Sequence, residues 1–328
     1  MTDQTTKLIQ LIKEGKTCNE ICTILQISNK QLYNNLTNLR NKGLFYRRKY
    51  YSDGSIVYRP INNDKSLSET FDNTNSIITN HKDTTIKCMI ISDLHFGNKL
   101  ERLDLLDKVF DYCVKSDIHI ILCCGDMIDG SFSKGEKTIK NIYDQIEHFI
   151  KNYPFDKNIL TFTVGGDHDK SAWNFGAQDI IEIIRNYRHD IVVGGYGYSY
   201  VNIKNDKILL FHHLKENKLI LKNSIIVLHG HAHKYVAGID KHNILNVAVP
   251  SLSDITNTFP TVLELELQFN KGYIKQAYLK QMYFADNLTT LNEAYFDLLK
   301  NRHVIAMPIA YEEKIKEENL TDKVMVKN

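Results

Sequence analysis

Five apolar runs of strand length in this 328-residue chain each end in a group of aspartate or histidine residues. The runs occupy residues 86–91, 118–124, 159–164, 207–211 and 224–228. In the same order, the polar groups that follow them are Asp93-x-His95, Gly125-Asp126, Gly166-Asp167-His168-Asp169, His212 and Gly230-His231-x-His233. Because sites in α/β sheets form at the carboxyl ends of parallel strands, we expect these groups to meet at one place.

Segments with helical spacing separate the first three runs. Apolar residues recur at helical intervals over 103–114 and 139–150, and again over 178–187. Buried strands joined by helical crossovers predict βαβ units whose sheet is covered on both faces. After residue 190 several strand-like runs follow with short turns between them. The sequence therefore predicts a mixed α/β fold of layered sheets and not a simple doubly wound sheet.

The polar groups contain the ligand types of a site for two divalent cations. The i, i+2 spacing within Asp93/His95 and within His231/His233 places both side chains of each pair on one side of an extended chain. Together the groups supply three carboxylates and four imidazoles, from Asp93, Asp126, Asp167, His95, His212, His231 and His233. Two alternatives stay open: His213 could replace its neighbour as a ligand, and His229 could line the site.

The ordered series D-x-H, G-D, G-D-H-D, H and G-H-x-H resembles the motif series of the calcineurin-like metallophosphoesterases over residues 86–255. The resemblance implies a layered β-sandwich flanked by helices. It further implies one metal held by Asp93, His95 and His233, a second held by Asp167, His212 and His231, and Asp126 as the bridge between them. Carboxylate and imidazole ligands with this family resemblance predict two Mn²⁺ ions, with iron or zinc as alternatives.

The same resemblance implies an enzyme. A hydroxide that bridges the two metals would attack phosphorus in line, His168 would stabilise the transition state and protonate the leaving oxygen, and Asp169 would orient the His168 ring. The family has asparagine where this chain has Asp167. We expect the extra negative charge to tighten metal binding and to shift the activity toward alkaline pH.

The first 60 residues are basic, whereas the rest of the chain is slightly acidic. Ten Lys and Arg residues against four acidic residues give this region a balance of +6, which leaves −4 for the remaining residues. Helical spacing, two capping boxes that begin at Thr17 and Ser28, and an Asp53-Gly54 turn predict three helices followed by a basic hairpin. This order resembles a winged helix-turn-helix domain.

The basic surplus and the polar third helix favour nucleic-acid binding by this region. The candidate contacts are Lys30, Asn34 and Asn38 on the third helix and Arg47, Arg48 and Lys49 on the hairpin. The alternative is a small helical module that binds protein or dimerises, with a solvated basic hairpin.

The predicted domain order is a winged-helix-like unit at 1–60, a linker at 61–85, a metallophosphoesterase domain at 86–282, and a C-terminal helix with a charged tail at 283–328. Asn, Ser, Thr and Asp dominate the segment 61–85 without periodicity. The spacing of Leu291, Ala294, Tyr295 and Leu298 predicts the C-terminal helix.

The predicted function is two-metal hydrolysis of phosphodiesters in DNA or RNA, similar in logic to the bacterial SbcD branch of DNA-repair nucleases. The alternatives are a phosphatase or small-nucleotide phosphodiesterase localised by its N-terminal unit, and a non-catalytic DNA-binding regulator. A homodimer or an ATPase-type partner subunit is left open.

The sequence predicts a cytoplasmic protein that does not enter a membrane. No apolar run reaches the roughly 20 residues that cross a bilayer, and the first residues lack a signal-peptide pattern. The six cysteines contain no CxxC pair and lie mostly among apolar residues, which is typical of a reducing compartment.

Overall fold

Two eight-stranded β-sheets stack face to face in the computed structural model of the chain, and their facing sides share one hydrophobic core. The structure describes residues 3–42, 44, 46–60, 74–79, 83–131, 136–172, 179–213, 224–255, 259–284, 288–298 and 302–308. The predicted α/β class with layered sheets is confirmed.

The first sheet is parallel at one end and antiparallel at the other. In spatial order its strands are β16 (Arg302–Pro308), β15 (Leu288–Asp297), β14 (Tyr273–Phe284), β13 (Val262–Asn270), β4 (Thr85–Ile91), β5 (Ile120–Cys123), β6 (Leu160–Gly165) and β7 (Ile191–Tyr196). The four strands from β4 to β7 pair in parallel, whereas β13 pairs antiparallel with β4. The predicted strands at 86–91, 118–124 and 159–164 therefore lie side by side.

Four helices belong to the parallel part of this sheet. They are α4 (Leu103–Lys115), α5 (Ile142–Asn152), the five-residue α6 (Asp167–Ser171) and α7 (Ile180–Tyr187). The apolar stripes of α4, α5 and α7 pack with the sheet's outer face in a second hydrophobic cluster. Among the described residues, no helix combines the length and hydropathy that a membrane-crossing segment needs.

The second sheet contains the remaining strands. In spatial order they are β11 (Val236–Ile239), β12 (Leu245–Ala248), β10 (Ile226–His229), β9 (Asp206–Phe211), β8 (Tyr198–Ile203), β3 (Thr74–Ile78), β1 (Tyr46–Tyr51) and β2 (Ile56–Pro60). β9, β10 and β12 pair in parallel, so the ends of β9 and β10 that carry histidines point the same way.

The N-terminal helices form as the sequence predicts. They are α1 (Asp3–Glu14), α2 (Cys18–Leu25) and α3 (Asn29–Asn41). Thr17 and Glu20 form the capping box of α2, and Ser28 and Gln31 form that of α3. The hairpin of β1 and β2 follows, with the turn at Asp53-Gly54.

The hairpin is not a free wing, because β3 joins it to the second sheet. β3 pairs in parallel with both β1 and β8, although it lies inside the predicted linker at 61–85. The tip of the hairpin packs against the start of β6: a Cβ atom at Gly54 would lie 1.7 Å from the Asn158 carbonyl oxygen. The first 60 residues thus share a sheet and a hydrophobic core with the rest of the chain.

The predicted C-terminal helix over residues 288–302 is wrong, because this segment forms β15 and the start of β16. β15 pairs along its length with the 12-residue β14. Ala294 and Phe296 are buried on one face of β15 and Tyr295 is half-buried on the other, which is the period of a strand. Pairing with a long neighbouring strand overrides the helical spacing of the apolar residues. The tail beyond residue 308 lies outside the described residues.

A buried histidine joins the N-terminal helices to the body. The His189 ring stacks on Tyr33 of α3 with 4.0 Å between ring centroids, and its Nδ1 is hydrogen-bonded to the Tyr58 hydroxyl of β2 at 2.5 Å. Burial and the positive charge of Arg48 lower the pKa of His189 to about 2. The ring therefore stays neutral in the folded protein at neutral and mildly acidic pH.

We expect the free energy of unfolding to decrease as the pH falls below about 6.5, because the unfolded chain protonates His189 and the folded chain does not. Between pH 7 and 5.5 this group alone removes about 1 kcal/mol. Urea denaturation of the wild type and of His189→Asn at both pH values measures the effect. The variant should be less stable at pH 7 but should lose about 1 kcal/mol less on acidification. An equal loss in both proteins would contradict a neutral His189.

Candidate metal centre

The loops after β4 and β5 hold their acidic residues in an uncommon backbone conformation. Asp93, His95 and Asp126 have φ values of 55°, 49° and 52°, and His231 and His233, after β10, have 65° and 53°. Non-glycine residues in this left-handed region cost on the order of 1–3 kcal/mol each and concentrate at functional sites. Five such residues in three loops indicate that the loops are shaped for their side chains.

Asp126 connects these loops. Its carbonyl oxygen accepts hydrogen bonds from the backbone N–H groups of Leu94 and His95, at 2.9 and 3.0 Å. Its Oδ1 accepts a hydrogen bond from the backbone N–H of His168, at 2.9 Å. The glycine before α6 makes this approach possible, since a Cβ atom at Gly166 would lie 2.1 Å from Asp126 Oδ1.

The first group of predicted ligands converges on Asp93. His233 Nε2 lies 3.1 Å and His95 Nε2 lies 3.8 Å from Asp93 Oδ1. Asp93 and His95 are buried, and His233 is partly exposed. The structure thus brings together the three residues that the resemblance assigns to one metal.

The second predicted group is divided between a buried pair and an exposed cluster. His212 Nε2 lies 2.9 Å from Asp126 Oδ2 and 3.9 Å from Asp93 Oδ1. Asp167 lies farther out, where its Oδ2 is 3.9 Å from His231 Nδ1 and 3.6 Å from His213 Nδ1. The structure therefore places His212 in the buried pair and His213 in the exposed cluster. The sequence led us to expect only one of these two histidines to be a ligand.

The opposite charges of His212 and Asp126, which form the buried pair, shift the pKa of both groups. The His212 Nδ1 is hydrogen-bonded to the Cys124 carbonyl at 2.8 Å, which directs Nε2 at the carboxylates. Although burial lowers the pKa of His212, the Asp126 carboxylate next to its Nε2 and the nearby Asp93 raise that pKa to about 10. Burial opposes ionisation of Asp126, but His212 holds the pKa of Asp126 well below its ordinary value. A metal cation that binds His212 must therefore displace a proton from its ring.

Several side-chain atoms of this centre are buried and have no hydrogen-bond partner among the described residues. They are Asp93 Oδ1, both ring nitrogens of His95, Nε2 of His212 and Nδ1 of His233. Buried polar atoms without partners are uncommon in folded proteins, because each one loses its hydration without compensation. Carboxylate and imidazole groups in this state fit divalent manganese, iron or zinc.

His168 lies beside this centre, and its ring is held by a carbonyl group. His168 Nδ1 lies 2.6 Å from the Asp129 carbonyl oxygen, so this nitrogen carries the hydrogen and donates it. The ring meets His95 edge-on, with 4.6 Å between the centroids. Because Nδ1 is occupied by the Asp129 carbonyl, Nε2 is the ring nitrogen that faces away from this hydrogen bond.

Asp169 does not contact the His168 ring, so its predicted orienting role is wrong. Its carboxylate accepts hydrogen bonds from the backbone N–H groups of Met127, Ile128 and Gly166, at 2.8–3.2 Å. Burial and the nearby Asp126 raise the pKa of Asp169 to about 6. Asp169 therefore ties the loop after β5 to the start of α6.

Asp129 lies beside the centre, and its place there was not predicted from the sequence. Besides its carbonyl contact to His168, its Oδ1 accepts a hydrogen bond from Asn98 Nδ2 at 2.9 Å and lies 3.7 Å from His95 Nδ1. Lys137 Nζ lies 3.6 Å from Oδ2. The available signal was its position three residues after Asp126, in the same loop.

The predicted nucleic-acid contacts lie on two surfaces. Lys30, Asn34 and Asn38 are exposed at i, i+4, i+8 on one face of α3. Arg47 and Lys49 are exposed on β1. Arg48 points the other way, and its Nη2 donates to the Arg185 carbonyl oxygen at 3.1 Å. Arg48 thus packs against the body, and the prediction that it contacts nucleic acid is not supported by this placement.

The family model for calcineurin-like phosphoesterases matches residues 86–261, which is more than half of the chain. The chain belongs to the calcineurin-like phosphoesterases. It is therefore a metal-dependent hydrolase of phosphoesters, and the clusters around Asp93 and Asp126 are its candidate metal ligands.

Several solved structures are similar to this calcineurin-like phosphoesterase. The phosphoesterase Yfce from E. coli has 14% identity over 63% of this chain and 98% of its own, with a TM-score of 0.41. A nuclease MPE from Pseudomonas putida has 13% identity over 72% of this chain and 96% of its own, with a TM-score of 0.33. A dimetal phosphatase from Danio rerio has 8% identity over 62% of this chain and 98% of its own, with a TM-score of 0.39. No curated protein sequence matches the chain.

We expect Gly166→Ala to weaken metal binding about tenfold or more, because the new methyl group displaces Asp126 from its hydrogen bond to the start of α6. Gly238→Ala is the matched control, since a Cβ atom at position 238 meets nothing within 4 Å. Titration with Mn²⁺ and elemental analysis after gel filtration measure the change. Equal metal content in both variants would show that the contact between Gly166 and Asp126 does not shape the centre.

Proposed function

We propose that this calcineurin-like phosphoesterase is a two-metal phosphodiesterase that cleaves DNA or RNA, with Mn²⁺ as its working metal. The observation that carries the two-metal assignment is the sharing of buried carboxylates. Asp93 Oδ1 faces both His233 and His212, and Asp126 Oδ2 faces both His212 and His95. Shared carboxylates support two adjacent cation positions over two separate ones.

The residues divide between the two positions by their contacts. Asp93, His95 and His233 would hold one ion. Asp126 and His212 would hold the other from the buried side, and its exposed side would be completed by Asp167, His213 and His231. When bound, the ions supply Lewis acidity toward a phosphoryl oxygen and make water a better nucleophile near neutral pH.

His168 is the candidate general acid. Its Nδ1–H is fixed on the Asp129 carbonyl, so the opposite ring nitrogen can deliver a proton to the leaving oxygen. Its backbone N–H is fixed on Asp126, which couples the position of the acid to that of the metal ligands. Asp169 supports this geometry by holding the loop after β5 against α6.

Exposed cations near the N-terminus support a nucleic-acid substrate. Lys30, Arg47 and Lys49 are exposed, and the first 60 residues carry a balance of +6. Cationic surfaces raise the local concentration of polyanions and speed their association. A small monoester would gain little from these residues.

A manganese-dependent assay on single- and double-stranded DNA and RNA tests this proposal. Deleting residues 1–60 is unsuitable as a test, because β1 and β2 belong to a sheet of the body. Replacing exposed cations, as in Arg47→Gln with Lys49→Gln, is the sharper comparison. Hydrolysis of small phosphodiesters or phosphomonoesters without cleavage of any polynucleotide would favour the phosphatase alternative. Nucleic-acid binding without hydrolysis would favour the regulator.

The proposal includes a cytoplasmic location. All six cysteines are free thiols, and five of them are buried. Free buried thiols suit a reducing compartment.

We expect His168→Asn to lower kcat about 100-fold or more while leaving the metal content unchanged, because the backbone contact to Asp126 survives the substitution. His242→Asn, at an exposed turn, serves as the control. Steady-state kinetics and elemental analysis on the same preparations separate the two effects. A variant that loses metal together with activity would place His168 among the ligands.

We expect Asp167→Asn to weaken metal binding and to move the pH–rate profile toward lower pH. The substitution removes one negative charge from the occupied site, and a more positive site favours the deprotonated form of the attacking water. Mn²⁺ titration and kcat measured from pH 6 to about 10 check both effects. An unchanged profile with unchanged metal affinity would mean that Asp167, which is half-exposed, acts outside the ligand set.

A further inference from the structure

The outward face of the second sheet is exposed at the basic hairpin and partly exposed at β8, whereas on β9 and β10 its residues Leu209, Phe211 and Val227 are buried in a third hydrophobic cluster. Side chains alternate along strands, and Ile77, Val201 and Ile208 point into the core. Their neighbours on each strand therefore point outward. We define the cationic strip as six outward residues of β1, β2, β8 and β9: Arg47, Lys49, Arg59, Tyr198, Tyr200 and Lys207.

Strand register aligns the members of the strip. Arg47 is paired with Arg59 across the hairpin. Counting back from the pairing of Tyr50 with Ile77 places Arg47 level with Thr74, which pairs with Tyr200 of β8. Tyr198 pairs with Phe211 of β9, the residue directly before His212. The strip thus ends at Tyr198, one strand away from His212 and beside the buried outward residues of β9.

The charge of this surface has one sign. Arg47, Lys49, Arg59 and Lys207 are exposed, and none of the outward residues of β1, β2, β3, β8, β9, β10 and β12 within the described chain is Asp or Glu. The opposite sheet differs. Its outward residues on β13 and β15 include four carboxylates, from Glu264, Glu266, Glu293 and Asp297. Electrostatics therefore favours binding of a polyanion to the cationic strip over the outward face of the opposite sheet.

Aromatic rings lie between the cations and the metal centre. Tyr198 and Tyr200 are partly exposed and meet edge-to-face with 5.7 Å between centroids. Lys207 Nζ lies 5.7 Å from the centroid of the Tyr200 ring. At the end of the strip the His229 ring stacks on Phe211 at 5.2 Å, next to Gly230 and His231. Cations that follow a backbone and rings on which bases stack are the two components of single-strand binding sites.

We propose that the cationic strip binds single-stranded nucleic acid on the sheet whose strands β9 and β10 lead into His212 and His231 of the metal centre. The proposal rests on the nuclease function proposed above and names the form of its substrate. From β2 to β9 the strip crosses four interstrand spacings of about 4.8 Å, or about 19 Å in all. That length corresponds to about six nucleotides at a stacked rise of about 3.4 Å. A duplex hides its base faces, so it can use the cations but not the tyrosines.

Fluorescence anisotropy on the full-length His168→Asn protein with Mn²⁺ tests the strip without destroying the probe. The probes are 12-nucleotide oligo-dT and oligo-U, a four-nucleotide oligo-dT and a 12-base-pair duplex. We expect the 12-nucleotide strands to bind at least tenfold tighter than the duplex and the four-nucleotide strand. Oligo-dT and oligo-U distinguish DNA from RNA as the preferred strand.

Tyr200→Ala in the same background should weaken binding of the 12-nucleotide strands about tenfold or more, whereas Tyr200→Phe should bind like the parent. Arg47→Gln with Lys49→Gln should reduce the slope of log Kd against log salt by about 1.4. Tyr278→Ala, on the outward face of the opposite sheet, is the matched control and should change nothing. Circular dichroism confirms that each variant is folded.

Unchanged affinity in Tyr200→Ala, or a duplex that binds more tightly than the single strands, would overturn the strip. The nuclease proposal is judged separately, by cleavage of the same oligonucleotides with the wild type and Mn²⁺. Cleavage with unchanged Tyr200→Ala binding refutes the strip alone. Binding that depends on Tyr200 without any cleavage supports the strip and refutes the nuclease function.

Discussion

The hydrogen bonds around Asp126 are the constraint on which the metal centre depends. Its carbonyl fixes the loop after β4, one carboxylate oxygen fixes the start of α6, and the other faces His212. One residue thus sets the relative positions of three loops that come from distant parts of the chain. The left-handed conformation of Asp126 is the local cost of this arrangement, and the contacts from all sides compensate for it. Metal-dependent hydrolysis requires rigid placement of this kind, because misplaced ligand residues lower both the metal affinity and the reaction rate.

Much of the metal centre could be predicted from the sequence, because each ligand candidate follows directly after the strand that positions it. An apolar strand and the polar residues that follow it are contiguous, so the order of motifs already indicates which side chains share one end of a sheet. His213 and Asp129 were harder to predict. Whether two successive histidines both reach one site depends on how the chain turns after β9, and the contacts of Asp129 are made by its backbone as much as by its side chain. Neither the turn after β9 nor the backbone contacts of Asp129 can be predicted from residue type alone.

The fold could be predicted less completely where pairing is remote. β15 has helical spacing of apolar residues, and it forms a strand because a long β14 lies next to it. The basic hairpin was visible in the sequence, but its surroundings were not. Arg48 and Lys49 are adjacent and chemically similar, and yet one packs on the Arg185 carbonyl while the other is exposed. Side-chain alternation along β1 makes the two differ, but which of them faces inward depends on the pairing of β1 with β3, which no local pattern reveals.

The position of β3 has a consequence for how the protein is made. It bonds the N-terminal hairpin to β8, where Ser76 and Asn202 meet across 126 residues of sequence. The first three helices leave the ribosome early, but β3 gains its partner β8 only after residue 203 has been synthesised, and the sheet is complete only after β12. Non-local pairing of this kind is slow, and unpaired strands invite aggregation in the interval. The hairpin of this hydrolase therefore reaches its final sheet only after more than half of the chain has been synthesised.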